Sequence, residues 1–226
     1  MQILDNFQPQ INAAEIRKRL HLSADSPEWQ SLENTVQEVA GLIRPKCAYK
    51  ECHVDQKDDK SVTVEGVRFQ SRVLRKNLEA ARRVFPFVIT IGAQLEETAA
   101  AQSDYLEQYY LDTIANVALQ DAIQSVCARL REQYHLEKLS YMNVGSLGDW
   151  PLSQQRPLFS LLGDVEGAIG VRLSSSMLMH PAKSESGIFF PTEVSFFNCQ
   201  LCPRKDCSSR KAAFDREMAR EYGVAE

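Results

Sequence analysis

The sequence has no run of apolar residues that approaches the roughly 18 in succession needed for a membrane-spanning helix. Its first residues, Met1-Gln2-Ile3-Leu4-Asp5, do not have the composition of a signal peptide. It also has no stripe of basic residues with interleaved aromatics, and its formal net charge is −4 at pH 7. We therefore expect a cytoplasmic protein whose partners are neither a membrane nor a nucleic acid.

Motifs of several enzyme classes are missing as well. No G-x-S-x-G elbow occurs and the four histidines lie in unrelated contexts, which argues against a hydrolase. The glycine-rich residues 142–151, which we call the glycine turn, do not match G-x-G-x-x-G, so a dinucleotide site is not predicted. No residue stands out as a general acid or base. This suits a protein whose chemistry belongs to cofactors.

The composition predicts a folded globular chain. Hydrophobic residues make up 44% and charged residues 25% of the 226 residues, enough for a full core. Residues 1–45 are predicted to be an N-terminal helical segment, because their apolar residues recur at helical spacing. Residues 46–226 mix helices and hairpin-linked strands without regular βα alternation. This favours one α+β domain, with a largely antiparallel twisted sheet flanked by helices.

Local signals predict individual elements. A continuous apolar run at residues 85–92 predicts a buried strand, and Ser103-Asp104 precedes a helix that can exceed about 25 residues. Ser71 is predicted to cap a helix that extends to Val84. Further predicted elements are strands at residues 187–190 and 194–197 and an exposed, charged helix at residues 208–222.

The six cysteines are expected to be reduced, because a chain of this size does not need disulfide staples and nothing directs it to export. Cys199, Cys202 and Cys207 have C-x2-C-x4-C spacing in residues 199–207, which we call the cysteine loop. Such spacing lets sulfurs reach one metal centre. A structural zinc site or an iron–sulfur cluster needs four ligands, so the fourth would be distant or absent. A metal or cluster, redox chemistry of the thiols, and no role at all stay open.

Three stretches and two aromatic pairs carry a resemblance to a known family. The stretches are Gly148-Asp149-Trp150-Pro151-Leu152-Ser153-x-Gln155, Leu158-Phe159-x-Leu161-Leu162 and Ile169 to Gly187, and the pairs are Phe189-Phe190 and Phe196-Phe197. In this order and at this spacing they resemble the activation (reactivation) domain of cobalamin-dependent methionine synthase and the free-standing proteins built on it. The resemblance begins at Asp104-Tyr105 and covers about half of the chain. The cysteine loop lies beyond the family pattern.

The resemblance implies an accessory role in corrinoid-dependent methyl transfer. In that family the domain binds S-adenosylmethionine in a shallow groove over the corrinoid, and a methyl group passes to the cobalt after one-electron reduction. The implied cofactor is cobalamin carried by a partner, either a corrinoid-binding protein or a methyltransferase, and an electron donor is a further candidate partner. If the chain is an enzyme, it is related to cobalamin-dependent methyltransferases. The residues that would line the groove are Gly145, Ser146, Gly148, Asp149, Lys183, Ser184, Ser186 and Gly187.

The sequence departs from the family at the ligand anchors. The family groove uses an arginine followed by a Pro-Gly-Tyr turn, and the corresponding residues here are Met142, Gly145, Ser146 and Leu147. Loss of a cationic anchor would remove charge-assisted hydrogen bonding worth a few kcal/mol. These residues therefore do not support S-adenosylmethionine binding in the family's manner, although the fold is expected to be retained. The alternative is a non-catalytic interaction module that binds zinc or an iron–sulfur cluster through Cys199, Cys202 and Cys207.

Overall fold

The frame of the molecule is an antiparallel sheet with helices on both faces, seen in a computed structural model that describes residues 1–207 and 209–224. Strands β2 (Lys46–Tyr49) and β10 (Ser184–Pro191) both pair with β6 (Arg83–Thr90). Each strand pair assigned in these residues is antiparallel, which confirms the predicted α+β class. The other strands are β1 (Gln2–Leu4), β3 (Cys52–Lys57), β4 (Ser61–Val64), β5 (Val67–Gln70), β7 (Leu139–Asn143), β8 (Arg172–Leu173) and β9 (Met179–His180).

Helices cover the two faces of the sheet differently. One face carries the long helix α5 (Tyr105–Gln133) with α1 (Ala13–Arg19) and α2 (Pro27–Ala40), which share a core with Phe87 and Phe189. Shorter helices cover the other face, and one further helix packs against α5. The shorter helices are α3 (Arg72–Asn77), α6 (Gln155–Leu162), α7 (Val165–Ile169) and α8 (Arg216–Glu221), and the one against α5 is α4 (Gln94–Ala100).

Strand β6 is central because its sequence is apolar on both faces. Phe85, Phe87 and Ile89 project into the core beneath α5, whereas Val84 and Val88 project into the cores on the opposite face. This alternation follows from the two-residue period of a strand. The predicted buried strand is therefore confirmed, and β10 lies directly beside it.

The predicted long helix is confirmed as α5, which has 29 residues. Asp104 fixes its start, because the side chain accepts a hydrogen bond from the Leu106 amide at 2.8 Å. Of the first 45 residues, Gln2–Leu4 form β1, which pairs with β2, and Ile16 and Trp29 lie in the core beneath α5. The division of the chain at residue 45 stays a prediction. None of the helices in the described parts of the chain has the length and apolarity of a membrane span.

Two predicted elements are wrong in extent or type. The helix capped by Ser71 ends at Asn77, because the chain has to turn before it enters β6 at Arg83. Residues 194–197 form no strand. The Phe196 amide donates instead to the hydroxyl of Ser140 at 2.9 Å, so this amide is not used for pairing with a neighbouring strand.

The C-terminal helix is shorter and less exposed than predicted. It begins at Arg216, Ala219 on it is fully buried, and the ring of Tyr222 beyond it stacks on Phe196 at 6.1 Å. Its apolar side faces the core that contains Trp150 and Phe190, which we call the second core, so only the outer side is solvated. Ser208, at the start of the predicted helix, lies outside the described residues.

Candidate functional site

The glycine turn leaves β7 and closes on itself. The amide of Gly145 donates to the carbonyl oxygen of Trp150 at 2.8 Å. Gly145 has a φ of +83°, and a Cβ there would lie 2.9 Å from Cδ1 of Leu152, so the position requires glycine. Ser146 and Gly148 are exposed on the outside of the turn. These two residues are therefore available to a ligand or a partner.

Asp149, predicted to line the groove, is bound to the start of α3 instead. Its carboxylate accepts hydrogen bonds from the hydroxyl of Ser71 and from the amide of Val73, the latter at 2.9 Å. The guanidinium of Arg72 lies 3.4 Å from the same carboxylate. The Asp149 side chain is only 7% exposed. Its position gives it a structural task, and a binding role stays a prediction.

The side chain of Lys183 is bound to α5. Its ammonium group donates to Asp112 and, at 3.0 Å, to the side-chain oxygen of Asn116. It lines a groove that includes residues of α4 and α5 but none of the glycine turn. The hydroxyl of the neighbouring Ser184 donates to the carbonyl of Pro181 at 2.7 Å. The structure therefore does not bring Lys183 and Ser146 together.

Ser186 and Gly187 are buried within β10. The Ser186 hydroxyl has no hydrogen-bond partner among the described residues, and its carbonyl accepts from the Val144 amide at 3.2 Å. A Cβ on Gly187 would collide with the carbonyl oxygen of Met142 on β7. Gly187 thus permits the close approach of β7 and β10, which explains the residue without a ligand.

The glycine turn and the cysteine loop nevertheless meet at one cavity of about 240 Å³. Ser146 contributes from the turn, and all three thiols contribute from the loop. The carboxylate of Glu185, on β10, lies beside them. The remaining lining residues are Gln120, Tyr141, Asn143, Phe196, Phe197, Asn198, Ser209 and Lys211. The two motifs that are most distinctive in the sequence therefore belong to one place in the fold.

Glu185 is the most unusual group in this cavity. The amide nitrogen of Asn143 donates to its carboxylate, and Asn198 donates to the side-chain oxygen of Asn143 at 2.9 Å. Burial raises the pKa of Glu185 above its ordinary value, while the charge of Lys211 and the bond from Asn143 act in the opposite direction. The Asn198 side-chain oxygen has no partner among the described residues. The cavity thus offers two oxygen acceptors to a ligand that carries N–H or O–H groups.

Lys211 supplies the cationic side of the cavity. Its ammonium group donates to the hydroxyl of Tyr141 at 2.7 Å and lies 5.4 Å from the centre of that ring. Its backbone amide donates to the sulfur of Cys199 at 3.4 Å. Burial, followed by the negative charge of Glu185, raises the pKa of Tyr141, so its hydroxyl stays protonated. Lys211, four residues beyond the cysteine loop, is thereby tied to the edge strand β7 of the sheet.

The cysteine loop is organised by a guanidinium group. Arg210 donates to the carbonyls of Cys199 at 3.1 Å, Cys202 at 3.3 Å and Ala212 at 3.2 Å, and also to that of Arg204. A guanidinium has five N–H donors in one plane and suits such a set of acceptors. Within residues 1–207 and 209–224, no three side chains of His, Cys, Asp or Glu are placed to hold a metal ion. Metal ligation by the three thiols stays a prediction.

Sequence reasoning missed Glu185, Asn143, Tyr141 and Lys211. One available signal was a carboxylate in an otherwise small and apolar strand, because a charge there needs a partner or a cavity. The other three carry no distinctive spacing. The pairing of β7 with β10 brings Asn143 and Tyr141 to the cavity, and Lys211 reaches it through its hydrogen bond to the Tyr141 hydroxyl.

Comparison with known proteins supports the fold. No family model matches the sequence, and no curated protein matches it. Among solved structures, the chain is similar to one described as the MetH reactivation domain bound to AdoHcy, with a TM-score of 0.59 and 13% identity. The superposition covers 99% of this chain and 86% of that chain. The fold that the sequence resemblance implied is confirmed.

Proposed function

Because the chain has the fold of the MetH reactivation domain, we propose that it is an accessory protein of cobalamin-dependent methyl transfer. It would dock on a corrinoid-binding protein or methyltransferase and support reductive activation or methylation of the corrinoid. The supporting observation is the extent of the likeness, which includes 99% of the chain rather than a single motif. The cofactor would carry the chemistry, and the chain would position it.

The cavity at the glycine turn is the proposed ligand site. AdoHcy, which the similar structure binds, has an ammonium and an amine that donate hydrogen bonds, and Glu185 and Asn198 offer acceptors. Met142, at one of the family's anchor positions, is fully buried in the second core and cannot take the place of an arginine. An S-adenosyl ligand would therefore depend on Glu185 and on the exposed Ser146. Gly148 would belong to the docking side of the turn.

The test uses the cobalamin-binding fragment of a methionine synthase loaded with cob(II)alamin. We expect the chain to co-sediment with the fragment and to shift its visible spectrum. With titanium(III) citrate and S-adenosylmethionine, methylcobalamin should form faster than without the chain. Ser146→Trp should remove the acceleration, whereas Ser103→Trp, also at an exposed position, should not. Absence of both co-sedimentation and a spectral shift would contradict the proposal.

A second candidate function is binding of zinc or an iron–sulfur cluster at the cysteine loop. The observation in its favour is that three thiols line one cavity beside a carboxylate. Because they are not arranged as ligands in the described residues, binding would require the loop to draw them together. A fourth ligand would come from Glu185 or from a partner.

Metal and sulfide analysis of anaerobically purified protein tests this candidate. We expect about one zinc ion or one cluster per chain. The Cys199→Ser/Cys202→Ser variant should lose it, and Cys127→Ser, a change of a half-buried thiol on α5, should keep it. Metal-free protein after reconstitution with zinc, and with iron and sulfide, would rule this candidate out.

A further inference from the structure

Large apolar side chains are exposed together at the beginning of α5. Tyr105 is 85% exposed, Leu106 53% and Tyr109 55%. The three residues lie within about one and a half helical turns. Tyr105 and Tyr109 line the groove beside Lys183, whereas Leu106 lines a different one. Exposed large apolar side chains that cluster on one helix are typical of an interaction surface.

Leu106 lines a groove of about 670 Å³ between α2 and α5, to which Thr98 of α4 also contributes. The floor of the groove is apolar, because Leu32, Val39 and Leu111 are buried there and their side chains belong to the core beneath α5. Leu106 and Tyr110 form the wall on the α5 side. The groove runs beside α2, whose 14 residues correspond to about 21 Å of helix.

The rim of this groove carries charge of one sign. Glu28 and Glu38 stand on α2, Glu107 stands on α5, and all three are exposed. None of them takes part in an ion pair within the described residues. No lysine, arginine or histidine is among the described residues that line the groove. Three carboxylates around an apolar floor favour a cationic, amphipathic occupant.

We propose that this groove docks an amphipathic helix of a partner protein, with apolar residues on one face and lysine or arginine on its flanks. The apolar residues, spaced i, i+3, i+4 and i+7, fill the floor, and the basic residues meet Glu28, Glu38 and Glu107. The site shares no lining residue with the cavity at the glycine turn. It does not rest on the proposed function, so either can fail without the other.

The probe is a fluorescein-labelled peptide of about 15 residues, with leucine at i, i+3, i+4 and i+7 and lysine elsewhere. Fluorescence anisotropy with the full chain should show saturable binding that weakens with added salt. Glu38→Lys should weaken binding about tenfold, whereas Glu33→Lys, an equal charge change on the same helix but outside the groove, should leave it nearly unchanged. Leu106→Ser should weaken it, and Leu178→Ser, at a site 54% exposed, should not.

Three results would overturn the proposal. The first is equal weakening by the Glu38 and Glu33 variants, which would mean that the peptide senses only net charge. The second is equal binding of a peptide with glutamate in place of lysine, because the rim would then not select the occupant. The third is a homodimer in sedimentation that Leu106→Ser dissociates, since a second copy of the chain would then occupy the groove.

Discussion

Replacement of Asp149 by alanine is the sharpest test of how this fold uses a residue that the sequence placed in a ligand groove. In the structure its carboxylate accepts from the Ser71 hydroxyl and from the Val73 amide. Ser71 in turn accepts from the Leu74 amide at 2.9 Å as the cap of α3. The change therefore leaves the Val73 amide without its acceptor and frees the cap. It also removes a hydrogen bond that joins the glycine turn to the start of α3, between residues 78 positions apart in the sequence.

The magnitude follows from the bonds that are lost. A hydrogen bond to a charged group contributes about 1.5–3 kcal/mol, and the two bonds share one carboxylate, so their contributions do not add in full. The pair with Arg72 adds little, because that side chain is 48% exposed. We expect Asp149→Ala to lower the free energy of unfolding by about 2–4 kcal/mol. Asp149→Asn keeps an acceptor and should lose about half as much.

Urea unfolding followed by tryptophan fluorescence measures this change. Asp164→Ala is the matched control, because Asp164 caps α7 through the Gly167 amide at 2.8 Å and is exposed. It should lower the free energy of unfolding by about 1 kcal/mol. A loss below about 0.5 kcal/mol for Asp149→Ala would refute the capping role and return Asp149 to the candidate ligand residues.

Further predictions concern packing, ionisation and thiol access. Gly187→Ala should lower the free energy of unfolding by about 1–3 kcal/mol, because its methyl group meets the β7 backbone, whereas Gly148→Ala, with open space around it, should be nearly neutral in the same urea assay. Burial holds the folded-state pKa of Glu185 above its unfolded value near 4.5. The protonated side chain therefore contributes to the free energy of unfolding below pH 4.5, and this contribution is lost as the pH rises through the folded-state pKa. Glu185→Gln should therefore raise the free energy of unfolding at neutral pH and make it depend less on pH. If the free energy of unfolding changed between about pH 5 and pH 8 by the same amount in the variant as in the original protein, the assignment would be contradicted. Burial also raises the thiol pKa of Cys47 and of Cys52, the latter to about 11, so iodoacetamide should label the cysteine loop well before either, as peptide mass spectrometry can show.

Local signals in the sequence were sufficient where a segment forms its structure alone. The apolar run around Phe87 predicted β6, and Asp104 predicted the start of α5, because a strand buried on both faces and an N-cap depend on neighbouring residues. Local signals were insufficient where residues far away in the sequence determine the structure of a segment. Residues 194–197 alternate like a strand, but Ser140 takes the amide of Phe196 and no ladder forms.

The candidate site could be predicted only in part. Ser146 and the cysteine loop were both recognised, yet nothing in their spacing showed that they share a cavity. Glu185 was passed over in favour of its neighbours Ser184 and Ser186. A strand turns successive side chains to opposite faces, so the register of β10 decides which of these residues reaches the cavity.

The sequence by itself determined the fold class, the central strand, the long helix and the likeness to a reactivation domain, because these depend on periodicity, caps and motif order. Only the tertiary structure decided that Asp149 holds α3, that Lys183 turns to α5 and that Glu185 faces the thiols. The physical reason is that each of these tasks depends on partners far away in the chain. Strand pairing and hydrogen bonding select such partners, and no local pattern of residues specifies them.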